Sequence, residues 1–99
     1  MKTYNQKLLT IYTEAALESS LIRKIDKLGA TGYTITNARG KGSSGSRTAF
    51  WEANSNIRVE IICTEEIAIA ISQGLHEKYG KNYAMMTFTS DIEVMATES

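Results

Sequence analysis

The chain contains no proline, one cysteine (Cys63), one histidine (His76) and one tryptophan (Trp51) in 99 residues. A single cysteine excludes an internal disulfide, and no Cys/His spacing resembles a zinc site. Net charge is missing as well, since eleven basic residues balance eleven acidic ones. Bulk binding of nucleic acid calls for an excess of Lys and Arg, so nucleic acid is not an expected partner. The strongly apolar runs, such as 67–71, are short, far below the roughly 18 residues that span a bilayer. Residues 1–6 (MKTYNQ) are polar and lack the apolar centre of a secretory signal. Together with the free thiol, this leads to the expectation of a cytoplasmic protein. Glycine is scarce too, with seven residues, so each is expected at a turn, a cap or a close approach. What is present, 42% apolar and 22% charged residues, is ordinary for a globular domain. The expectation is one domain over 1–99 with one modest core, too small for a deep enclosed pocket.

Residues 7–13 (KLLTIYT) are rich in β-branched and aromatic side chains and read as a strand. Over 15–28, Leu17, Leu21, Ile25 and Leu28 follow at intervals of four, four and three, which places them on one helical face. Lys24 and Lys27 near its end, and Gly29 after it, are C-terminal signals. A second strand is expected at 32–38 (GYTITNA). A third is expected at 57–63 (IRVEIIC), where Ile57, Val59 and Ile61 alternate with Arg58 and Glu60. Residues 64–79 read as a second helix, with Ile67, Ile71 and Leu75 on one face and Gly80 ending it. Glu65 and Glu66 fall in its first turn, where the helix dipole favours them. A fourth strand is expected at 83–89 (YAMMTFT), with 92–95 extending it or forming a short fifth.

The two halves echo one another. Thr13-Glu14 returns as Thr64-Glu65, Lys27 as Lys78 and Gly29 as Gly80, each 51 positions on. Two strand–helix–strand halves give an α+β chain of the ferredoxin-like βαββαβ type, a four-stranded antiparallel sheet with two helices on one face. The other face is left uncovered. Depending on register, Leu9, Ile11, Tyr33, Ile35 and Ile62 supply apolar side chains to it. Strands that are apolar on both faces are buried on both, so a homo-oligomer packing sheet faces together is expected. The competing reading is a monomer with one greasy face.

Residues 39–56 have no periodicity and form a long loop between the second and third strands. Within it, 39–47 reads RGKGSSGSR: Gly40, Gly42 and Gly45 among Ser43, Ser44 and Ser46, with Arg39, Lys41 and Arg47 and no acid before Glu52. Glycines let successive backbone N–H groups converge on an anion, and hydroxyl and guanidinium groups complete a phosphate nest. The spacing is not that of a P-loop, and the segment leaves a strand without opening a helix, so P-loop and Rossmann readings fail. The alternative to an anion site is a solvated, flexible loop. Phe50 and Trp51 in this polar stretch need a surface to rest on: the domain's own, another subunit's or a partner's.

No arrangement resembles a catalytic one, and the chain is not expected to be an enzyme. His76 has no evident partner base or nucleophile. Cys63 ends an apolar strand and reads as a buried small hydrophobe. Glu14 and Glu65 are best explained as charges at helix N-termini, and Met85, Met86 and Met95 as filler in the core or between subunits. Glu52 and Glu60 read as surface groups, with a place in a ligand cleft as the alternative. An RNA-binding ferredoxin-like domain would need an aromatic and glycine pattern in the third strand, which is missing. An acylphosphatase-like hydrolase would carry an arginine loop after the first strand, where Thr13-Glu14 stands.

The stretch GYTITNARGKGSSGSR, following a strand and a helix that ends in Gly29-Ala30, resembles the PII-like signalling proteins. It is most similar to the SbtB type and the carboxysome-associated type. Thr13-Glu14, Gly32-Tyr33-Thr34, Gly40-Lys41-Gly42-Ser43 and Glu60-Ile61 follow that pattern in order over nearly the whole chain. The resemblance implies a homotrimer that binds an adenine nucleotide (AMP, ADP, ATP or cyclic AMP) in clefts between subunits, with bicarbonate a further candidate ligand. It makes 39–56 a flexible T-loop that changes order with the nucleotide and touches a target, here through Phe50 and Trp51. By the same resemblance, Gly40, Lys41, Gly42, Ser43 and Arg47 hold phosphates, while Thr34 and the backbone at Ile62 flank adenine. Ala84 and Met85 then form the opposite wall of the cleft.

The implied target is a bicarbonate transporter or other inorganic-carbon machinery, which would bring the protein to the membrane periphery. Ser44 stands where SbtB-type proteins have another arginine, and Met85 where they have glycine. The Cys-containing C-terminal extension of some SbtB proteins is not present, so their redox control is not implied. The loop also has no tyrosine for uridylylation. The runner-up is a CutA-like trimer of metal tolerance, or another ferredoxin-like ligand-binding regulator.

Overall fold

In the computed structural model of this chain, residues 1–40 and 55–96 are described. The expectations placed on Lys41, Gly42, Ser43, Arg47, Phe50 and Trp51, and most of the loop reading, lie outside the described residues. The elements in order are β1 (Thr3–Glu14), a 3-10 turn (Ala15–Leu17), α1 (Glu18–Lys27), β2 (Thr34–Ala38), β3 (Asn56–Cys63), α2 (Glu65–Tyr79) and β4 (Met85–Met95). The strands form one antiparallel sheet in the order β2-β3-β1-β4. This is the ferredoxin-like βαββαβ arrangement read from the sequence.

Register decides what each face carries, because strand side chains alternate between faces. Leu9 pairs with Ile61, and Ile11 with Val59. Those four, with Ile57, form the sheet's side of the core, facing Leu21 and Ile25 of α1 and Ala68, Ile71 and Leu75 of α2. Leu9 and Ile11, expected on the uncovered face, are therefore core residues, 1% and 0% exposed. Ile35, opposite Val59, also turns toward the helices and packs against the core. Of that expected set, Ile62 does lie on the open face of the sheet, half exposed, while Tyr33 is exposed just before β2. The residues that do face away in β1 are Leu8, Thr10 and Tyr12, opposite Ile62, Glu60 and Arg58.

The helical spacing of α1 translates directly into burial: Leu17, Leu21 and Ile25 are buried and Leu28 packs on the core. At Gly29 the chain takes φ 107°, a conformation that glycine adopts without strain and that ends the helix. The helices meet at Gly74, where an added Cβ would stand 2.8 Å from the Leu28 side chain.

Two sequence expectations change. β1 begins at Thr3 rather than Lys7, because Thr3–Gln6 pair with Ile92–Met95 beyond the end of β3. Backbone pairing makes this polar segment a strand, so it carries no burial pattern. The same pairing makes 85–95 one continuous strand, the extension of the fourth strand rather than a separate fifth. The Thr-Glu echo also breaks in three dimensions. Thr64 caps α2, its Oγ1 accepting from the Ile67 N–H at 3.3 Å, whereas Thr13 and Glu14 close β1 and cap nothing. Among the described residues, no helix is long and apolar enough to cross a membrane.

Candidate functional site

Antiparallel pairing brings the end of β2, the end of β1 and the starts of β3 and β4 to one end of the sheet. Ala38 and Glu14 both stand opposite Asn56, and Thr13 stands opposite Met85. Gly40, which opens the Gly-Ser-Arg segment, leaves this end at the β2 edge. Ala84 and Met85 enter at the β4 edge. β3 and β1 lie between the two, a gap of about 14 Å at ~4.8 Å per strand spacing. One chain therefore presents Gly40 and the Ala84–Met85 pair on opposite edges of its sheet. Thr34 and Ile62 share the open face near the other end of β2 and β3, with Thr34 opposite Glu60 and Ile62 two residues further along.

Ala84 is held tightly. It is 1% exposed, its N–H donates to Glu14 Oε2 at 2.6 Å, and its carbonyl accepts from Thr13 Oγ1 at 2.8 Å. Thr13 and Glu14, read from sequence as a helix start, are instead the clamp that fixes where β4 begins. The pair at 64–65 made the helical reading look general; only the cross-sheet neighbour distinguishes the two roles. Glu14→Ala is expected to lower stability by about 1.5–3 kcal/mol, the worth of a hydrogen bond to a charged group, measured by urea unfolding. A change under ~0.5 kcal/mol would mean that β4 is held by its ladder alone. Met85 turns inward and packs on the core, while Met86 turns to the open face.

That open face carries an apolar stripe across three strands. Ile62, Met86 and Phe88 are 50%, 40% and 44% exposed, and the Tyr12 and Phe88 rings lie 6.1 Å apart. Leu8 adds to the stripe, and Arg58, Glu60 and Thr10 stand among these groups.

Elsewhere the chemistry is structural. Exposed His76 shares Thr87 Oγ1 with Ser72, at 3.2 and 2.7 Å. Burial of Cys63 raises its thiol pKa, which favours the unreactive protonated form. At the far end of the sheet, a groove of about 710 Å³ lies between the β1/β4 ribbon and the start of α2, lined in part by Lys7, Glu65, Asp91 and Glu93. Lys7 hydrogen-bonds Asp91, which, with its charge and that of Glu65, raises the lysine's pKa. Among the described residues, none of the ligand residues expected from sequence lines this groove. Among the described residues, no cluster of three His, Cys, Asp or Glu is placed to hold a metal.

These features define a small ferredoxin-like domain with a helix-covered core, an open apolar face and Gly40 at one sheet edge. The chain belongs to the family of the nitrogen regulatory protein P-II, whose family model matches residues 6–99. It is 45% identical to a protein of Thermus thermophilus assigned to PII-like signalling, over 95% of this chain and 93% of that one, with a TM-score of 0.78. It is 30% identical to CPII of Thiomonas intermedia, a nitrogen regulatory PII-like protein solved with ADP, AMP and bicarbonate. That match covers 96% of this chain and 100% of the other, with a TM-score of 0.77. GlnK of B. subtilis, solved as an ATP complex, shares the fold at 21% identity, a TM-score of 0.67 and coverage of 89% and 82%. Members of this family are signalling regulators, in keeping with the PII-like resemblance of the sequence.

Proposed function

We propose that this chain is a homotrimeric PII-like sensor that binds an adenine nucleotide in clefts between copies and passes the signal through residues 39–56. The observation that carries this reading is the placement of Gly40 and of Ala84 with Met85 on opposite edges of one sheet. A pocket walled by both needs the β2 edge of one copy beside the β4 edge of another. The exposed stripe of Ile62, Met86 and Phe88 supplies the apolar surface for that assembly. Gly40, Lys41, Gly42, Ser43 and Arg47 hold the phosphates, Thr34 and the Ile62 backbone flank the adenine, and Ala84 and Met85 close the opposite wall. The ADP and AMP bound by CPII support this ligand class, and its bicarbonate supports a partner in inorganic-carbon handling.

In this reading, phosphate contacts order the loop and change the surface that Phe50 and Trp51 present to a target. A bicarbonate transporter fits that role and would draw the protein to the membrane periphery. Calorimetry with AMP, ADP, ATP and cyclic AMP tests the claim: at least one is expected to bind below millimolar concentration. Arg47→Ala should weaken that binding by roughly tenfold or more, the loss of one charge-assisted phosphate contact, without unfolding the domain. If none of the four binds, the sensor reading is wrong.

A further inference from the structure

In the middle of the open face, β3 places Arg58 and Glu60 two residues apart, side by side. Arg58 stands across from Tyr12 and Thr36, and Glu60 across from Thr10 and Thr34. Both side chains are half-buried in the single chain. Arg58 Nε is already shut off from solvent and has no hydrogen-bond partner. The ion pair among the described residues is Lys7–Asp91, so Arg58 and Glu60 do not satisfy each other. Residues i and i+2 of a strand stand roughly 6.6–6.8 Å apart with parallel side chains, yet the two charges form no ion pair with each other.

A buried guanidinium donor needs an acceptor. The face offers one cation and one anion in adjacent positions, ringed by apolar and hydroxyl side chains. Such a surface complements a rotated copy of itself, because every copy brings both halves of the pair. A free phosphate would satisfy Arg58 but meet the neighbouring Glu60 carboxylate. A second copy satisfies both.

We propose that Arg58 of one copy pairs with Glu60 of the neighbouring copy, and that these pairs set the register in which the open faces assemble. This rests on the reading that the open faces pack together, and it adds the residues that specify the packing. The apolar stripe supplies adhesion but little direction; a buried, hydrogen-bonded charge pair supplies direction, since any other register leaves charges unpaired.

The test is a charge exchange in the full chain without nucleotide, read by sedimentation over a concentration series, with circular dichroism reporting the fold. Arg58→Glu and Glu60→Arg are each expected to stay folded and to dissociate at concentrations roughly tenfold or more above wild type. The double exchange restores opposite charges across the same contact and should bring dissociation back toward the wild-type range. Single variants that assemble like wild type would overturn the proposal, as would a double exchange whose losses simply add. Should a reversal unfold the chain, Arg58→Gln, Glu60→Gln and their double variant close the same cycle, in which additive losses again overturn the pair. If millimolar inorganic phosphate tightens wild-type assembly and Arg58→Gln abolishes that effect, Arg58 serves an anion instead and the proposal falls. A wild-type chain that sediments as a monomer at every concentration would overturn the assembly reading itself, before any variant is compared.

Discussion

Ile62→Glu is expected to give a folded chain that no longer assembles and no longer binds adenine nucleotide. Ile62 is half exposed on the open face and contributes nothing to the helix-covered core, so its replacement leaves the fold intact. In the proposed assembly the same position would lie in a dry interface. There the variant loses the ~1.5–3 kcal/mol of a buried isoleucine in each copy and adds the desolvation cost of an unpaired carboxylate, several kcal/mol more. Repeated in every copy, these penalties move dissociation by orders of magnitude, at about 1.4 kcal/mol per tenfold. Nucleotide binding is expected to fall with assembly, because Gly40 and Ala84, on the two proposed walls, lie on opposite edges of one sheet. Light scattering and calorimetry on one preparation check both effects. A variant that still assembles would place the interface elsewhere, and a monomer that still binds would place the ligand within one chain.

The second large effect lies in the core. Ile71→Ala is expected to destabilise the chain by about 2–5 kcal/mol, the usual cost of removing a buried aliphatic side chain and leaving a cavity. Domains of this size are stable by only ~5–15 kcal/mol, so the variant should approach unfolding at physiological temperature. Ile71 is 0% exposed, whereas Ile69, two residues away in the same helix, is 51% exposed. Ile69→Ala should therefore cost less than ~0.5 kcal/mol. Denaturant unfolding of the pair makes a controlled comparison, and equal costs would contradict the placement of α2.

The contrast between those two isoleucines shows where sequence reading works. Helical spacing in α1 and alternation in β3 are local signals, and the structure buries Leu21, Ile25, Ile57, Val59 and Ile61 as those signals require. Leu9 and Ile11 were harder to place. β1 has apolar residues on both faces, and only its pairing with β3 decides which set meets the helices. Thr3–Gln6 gave even less to read, since a polar segment paired without burial leaves no periodicity, whereas 92–95 was read as extending the fourth strand. The Gly-Ser-Arg composition proposed to hold phosphate stands out in the sequence because phosphate chemistry needs those residue types close together, though most of it lies outside the described residues. The role of Glu14 was not, because it depends on Ala84, seventy residues away. Nor could the chain order alone reveal that Gly40 and Ala84 occupy opposite edges of one sheet.

Nucleotide held between copies would sediment only with the assembly, and labelled ADP run with the wild-type protein reads this. Across a range of protein concentrations, the label should travel only with the trimer, one nucleotide per chain, and return to the free fraction as the assembly dissociates. Label that travels with a single chain, or that never leaves the free fraction, would contradict it.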